Sequence, residues 1–155
     1  MNLPASSAIP GALVQFMAVA SAALPEGTTV WWGEELTTFS TPITLQITQI
    51  TGTQAPAEIG PQYRREETFA LVCTLSAYEG GDQATAAMNS LTSVMANFGL
   101  LSAAVANNPS LNGAVRFAQV ANFALDAIVD DNGVSAVSLD FQVHCQQRVL
   151  SLQSS

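Results

Sequence analysis

The run Thr68-Phe69-Ala70-Leu71-Val72-Cys73-Thr74-Leu75-Ser76-Ala77 decides the fold. Side chains alternate across a strand, so Phe69, Leu71, Cys73, Leu75 and Ala77 share one apolar face. A turn is expected at Glu79-Gly80-Gly81-Asp82. Beyond it Ala84, Met88, Leu91, Met95, Phe98, Ser102 and Val105 recur at spacings of three and four, the period of one side of a helix. The strand face and the helix stripe both need cover, and the short connection lets them cover each other. This pair is expected to form the centre of the core.

Toward the C-terminus, Asn107 to Gly113 is rich in helix and strand breakers. Val115 to Ile128 then reads as a strand, with Val115, Phe117, Gln119, Ala121, Phe123, Leu125 and Ala127 in one phase and Arg116 in the other. Asp130-Asp131-Asn132-Gly133 has the Asn-Gly pair of a type I′ hairpin. It lacks the spaced ligands and terminal Glu of a calcium loop. From Val134 to Val149 the alternation is the cleanest in the chain. Val137, Leu139, Phe141, Val143 and Cys145 point inward, and Ser138, Asp140, Gln142, His144, Gln146 and Arg148 outward.

Toward the N-terminus, Arg64-Arg65-Glu66-Glu67 leads into the deciding strand. Gly52 to Gln62 reads as a loop or hairpin tip. Ile43 to Thr51 is a strand carried by Ile43, Leu45 and Ile47, and Glu35 to Pro42 is a loop. Thr28 to Glu34 is a short strand in which Trp31 and Trp32 must face opposite sides. A helix opening at Pro10 sets Leu13, Phe16, Met17, Ala20 and Leu24 on one side. Residues 1–9 form an arm and 150–155 a tail. The expected architecture is α+β over a single domain, residues 1–155: a mainly antiparallel sheet with two helices on one face.

Composition narrows the function. The chain is 48% apolar and only 10% charged, against roughly 25% charged in typical soluble domains. A neutral polar surface of Ser, Thr, Asn and Gln suits an ordinary soluble domain, and equally a subunit packed among copies of itself. Net charge is −8, with no Lys, so a nucleic-acid grip built on a basic patch is disfavoured. An acidic surface can still stand beside DNA that must pass without sticking. Cys73 and Cys145 lie on the inward phases of two strands. They read as buried free thiols, with a cross-strand disulfide as the alternative. Leu13 to Leu24 imitates a signal sequence, but no Lys or Arg precedes it, and it falls short of the ~20 apolar residues of a membrane span.

Catalytic constellations are scarce. His144 is the lone histidine and lies on an outward phase. No serine has a histidine near it in sequence, and one His with two separated Cys does not make a metal site. Gly80-Gly81 has no Lys-Ser/Thr to make a phosphate loop. Neither enzymatic activity nor a cofactor is expected. The residues proposed to carry function are therefore surface ones. Arg64, Arg65, Glu66 and Glu67 are either a self-neutralising strand end or a contact that fixes register with a neighbouring subunit. Trp31 and Trp32 are candidates because at most one of them can enter the core, leaving the other as an edge residue or an interface anchor.

The segment Arg65-Glu66-Glu67-Thr68-Phe69-Ala70-Leu71-Val72-Cys73-Thr74-Leu75-Ser76-Ala77-Tyr78-Glu79-Gly80-Gly81, followed by the long helix, resembles the tail terminator proteins of long-tailed bacteriophages of actinobacteria. So does Asn108-Pro109-Ser110-Leu111-Asn112-Gly113-Ala114-Val115-Arg116-Phe117-Ala118-Gln119-Val120 with the closing hairpin through Arg148. The resemblance spans about residues 64–149 and rests on a pattern of elements, without an invariant motif. It implies a structural protein of the virion, made in the bacterial cytoplasm, that forms a six-membered ring on the end of the tail tube. Such a ring ends tube polymerisation and meets the neck, and genomic DNA passes through its hole. The implied partners are copies of the chain itself, the tail tube protein and a neck or head-completion protein, with no membrane. A tail tube or other neck protein is the nearest alternative. A secreted binding domain and a small hydrolase using His144 belong to other classes.

Overall fold

The computed structural model describes residues 7–33, 43–56, 64–79, 83–129 and 135–150. The elements follow the expected order. They are α1 (Ile9–Ala23), β1 (Thr29–Trp32), β2 (Ile43–Pro56), β3 (Arg64–Glu79), α2 (Gln83–Asn107), β4 (Phe117–Val129) and β5 (Ser135–Leu150). Five strands form one sheet in the order β1-β2-β3-β5-β4. All neighbours run antiparallel except β1 and β2, which are parallel. The fold is α+β, as the sequence pattern indicated.

The deciding strand takes the central place in the sheet. Phe69, Leu71, Cys73, Leu75 and Ala77 of β3 are all buried, beside Val137, Leu139, Phe141, Val143 and Cys145 of β5. Helix α2 packs across β3, β5 and β4, and α1 lies against α2 and β1. Phe16, Ala12 and Ala20 carry α1 into the same core, with Pro10 in its first turn. Tight packing of this kind makes each buried methylene count, because the interior is as dense as an organic crystal.

Three expectations need correction. The buried side of α2 is Ser90, Val94, Asn97, Leu101 and Val105, with Leu91 and Phe98 partly covered. Met88 is 62% exposed and Met95 also faces out. A small polar row sits beneath the helix where the methionines were placed. Asn97 donates from Nδ2 to the Ser93 carbonyl at 2.8 Å, which satisfies part of its buried amide within the helix.

Residues 52–56 are strand, paired with Phe69 through Arg65, whereas a loop from Gly52 was expected. The glycine is there because the sheet is tight. A Cβ at position 52 would lie 2.7 Å from the Phe69 Cβ and 2.9 Å from the Thr68 carbonyl oxygen. Pro56 ends the strand, a position proline tolerates.

Strand β4 does not keep one phase. Its register against β5 shifts between Ala121 and Phe123, where Asn122 takes φ +53. Before this bulge Ala118 and Val120 face the helices, and Phe117, Gln119 and Ala121 face the other way. After it Phe123, Leu125 and Ala127 turn toward the helix side. Strand β2 has a matching bulge at Thr48, which lets both Ile47 and Ile50 face inward. Both bulges fall in the step between the row of Cys73 and Phe141 and the row of Val72 and Gln142. A bulge bends its strand and raises local twist, so the sheet is bent along one common line.

The thiols are free and buried. Cys73 pairs with Phe141, and Cys145 with Phe69. Four residues separate them along the strands, roughly 13 Å at the usual rise. That distance is beyond a disulfide's reach. The arm joins the body at Ser7 and Ala8. The expected turns at Gly80–Asp82 and Asp130–Gly133, the loop 35–42, residues 57–62, and the termini 1–6 and 151–155 lie outside the described residues.

Candidate functional site

The four arginines gather at one end of the sheet. Arg64 and Arg65 open β3, Arg148 lies near the end of β5 and Arg116 precedes β4. Alternation then splits the charged quartet between two faces. Glu66 lies on the face away from the helices, directly across from Arg148. Its carboxylate accepts from Arg116 Nη2 and stands 3.6 Å from Arg148 Nε. These are partly exposed pairs, of a kind that contributes up to about 1 kcal/mol each. Arg65 is half-buried on the opposite phase, paired with Val149, and the Arg64 backbone pairs with Leu150.

Glu67 behaves differently from its neighbours. It continues the phase of Phe69 and Leu71, and only 3% of it is exposed. Its carboxylate accepts hydrogen bonds from the Ala8 backbone N–H at 2.7 Å, from Ser7 Oγ at 2.9 Å and from Gln54 Nε2 at 2.7 Å. Ala8 is the residue before α1, so Glu67 supplies an anion where the helix has unpaired N–H groups. It joins β3, β2 and the start of α1 inside one chain. Sequence reading placed Glu67 among candidate contacts with a neighbour. The signal that distinguishes it is phase, since it lies two residues before Phe69.

The two tryptophans part as alternation requires. Trp31 pairs with Gln46 on the helix-free face and is half-buried, while Trp32 pairs with Ile47 on the helix side and is 48% exposed. Trp32 therefore presents an apolar ring at the β1 border of the sheet.

The opposite border is β4, and sequence reading did not identify it as functional. Its outer edge has no strand partner among the described residues. Phe123 is 58% exposed, and Phe117 and Leu125 are also exposed. An open groove of about 610 Å³ runs between β4 and α2, lined by Phe98, Pro109, Phe117, Val120, Asn122 and Phe123 among others. Not one residue lining this groove is charged. Phe98 stacks at a tilt on Phe123 at 5.7 Å and on Phe141 at 5.3 Å, tying the groove wall to the core. The edge carries a charge only at Asp126, beyond the groove, and a long strand edge of this kind is what soluble chains avoid leaving bare.

Neither helix covers the far face of the sheet. Thr51, Thr53, Thr68, Thr74, Gln119, Gln142, His144 and Gln146 lie on it, with Asp140 accepting from Thr74 Oγ1 at 2.7 Å. His144 is exposed there and bonds Gln142 Oε1 at 2.9 Å. Burial raises both thiols, Cys145 to about 12 and Cys73 further, with the charge of Cys145 adding a smaller push on Cys73. Among the described residues no three His, Cys, Asp or Glu come together, and no helix is long and apolar enough to cross a membrane. No protein-family model matches the chain, and no curated protein matches it.

Proposed function

We propose that the chain is a structural subunit of a bacteriophage virion, a tail terminator that assembles head-to-tail into a six-membered ring. In this reading the ring caps the tail tube, ends its polymerisation and joins it to the neck, while genomic DNA passes through the hole. The resemblance over residues 64–149 supplies the family. The observation that carries the reading is the open β4 border with its uncharged groove at one side of the sheet and the exposed Trp32 at the other. Two unlike borders on one subunit favour a heterologous contact, and heterologous contacts that close make rings.

The surface chemistry suits a conduit. The helix-free face is mostly Thr, Gln, Ser and Ala, and the chain carries a net charge of −8. Phosphates would find few cations to release counterions against, so DNA would slide past rather than bind.

The test is absolute mass-spectrometric counting of this chain in purified virions of the phage that encodes it. About six copies per particle support a single ring. Hundreds of copies would make it a tube subunit, and no copies would refute a virion role.

A further inference from the structure

One row of paired residues crosses the whole sheet on the helix side: Trp32, Ile47, Cys73, Phe141 and Phe123. Its two ends are exposed aromatic rings on opposite borders. Beside Phe123 lies the apolar groove of α2 and β4. The molecule thus has a knob on one border and a hole on the other, on the same face and at the same height.

From this we infer that Trp32 of one copy seats in the α2–β4 groove of the next copy, against Phe123 and Phe98. The inference rests on the ring reading and names its contact. Strand directions permit it. Strand β4 runs antiparallel to β2 within the chain, and β1 is parallel to β2, so a level continuation lays β4 antiparallel beside β1, the last strand of the sheet among the described residues. Phe123 of one copy then becomes the cross-strand neighbour of Trp32 in the next, an aromatic pair of the kind that stabilises sheets. The charge pattern agrees. Strand β1 is Thr-Val-Trp-Trp and the groove is wholly uncharged, as interface centres are. The ring alone would bury roughly 150–250 Å². That is below the roughly 800 Å² per partner of a stable interface. Backbone pairing along β4 and the remainder of the groove must supply the rest, which places Trp32 as anchor rather than sole contact.

A knob and a hole on different borders can be complemented in trans. Trp32→Ala keeps the hole and loses the knob, whereas Phe123→Ala keeps the knob and damages the hole. Both residues are exposed in the single chain, so both variants should retain the circular dichroism of the parent. Native mass spectrometry of the wild type, each variant and their equimolar mixture reads the outcome. The expected result is an assembling wild type, variants at least about 30-fold weaker in assembly, and two-chain complexes in the mixture. If Trp32→Ala assembles like the wild type, the knob assignment is overturned and the ring reading stands. If the variants stay single when mixed, the pairing of these two borders is overturned. A wild type that never assembles overturns both the contact and the ring.

Discussion

Replacing Glu67 with alanine should loosen the start of α1 and lower stability by about 2 kcal/mol. The carboxylate holds three donors, of which the Ala8 N–H is buried and the Ser7 and Gln54 groups are partly buried. Orphaning a buried donor costs about 1–3 kcal/mol, while partly buried donors can turn to water at a cost of about 0.5–1 kcal/mol each. Against this, alanine removes a carboxylate whose burial is itself unfavourable, which trims the loss toward the lower end of the sum. Glu67→Gln keeps the shape and one acceptor oxygen, so it should lose roughly half as much. Urea unfolding followed by far-ultraviolet circular dichroism, at fixed protein concentration, gives the magnitude. Hydrogen exchange gives the place. The Ala12 N–H bonds the Ala8 carbonyl at 2.9 Å and should exchange faster, while β5 amides stay protected. A loss under about 0.5 kcal/mol, or unchanged exchange at Ala12, would refute the role given to this carboxylate.

The core and the thiols give further expectations. Leu71→Ala should cost about 2–5 kcal/mol by urea unfolding, while Met88→Ala on the exposed side of α2 should cost little beyond its small propensity change. Gly52→Ala should destabilise by about 1–3 kcal/mol, because the new methyl meets Phe69 Cβ and the Thr68 carbonyl; an unchanged urea midpoint would mean the strands part freely there. Cys73 and Cys145 keep their protons in the folded chain while the unfolded chain releases them above its ordinary value of 9.0. Stability should therefore fall as pH rises from about 9 toward 12, by up to about 1.4 kcal/mol per pH unit per thiol, and Cys→Ala variants should flatten that slope.

The strands β3 and β5 were legible because each has one dry face, and a strict period of two leaves no other register. Their neighbours β2 and β4 were legible only up to their bulges. Nothing about Thr48 marks an insertion, and Asn122 hints at one only through its tolerance of positive φ. Each bulge flips the phase, so a single alternation drawn through Val115 to Ala127 had to fail partway. The face of α2 was misjudged because methionine weighs heavily in a hydrophobic stripe, while Ser90 and Asn97 fit the close approach to the sheet. Gly52 looked like a breaker, and only the proximity of Phe69 explains it. The β4 border is a matter of topology. Phe117 and Phe123 could be seen as apolar, but which strand ends the sheet is decided by contacts far apart in the chain.

The proposed ring depends on head-to-tail association through unlike borders. Native mass spectrometry of the purified chain over a range of concentrations tests it most directly, with electron micrographs of the same sample. The expected result is a closed assembly of six 16.2 kDa chains with a central hole. Single chains at every concentration, or two-chain complexes that grow no further, would contradict it.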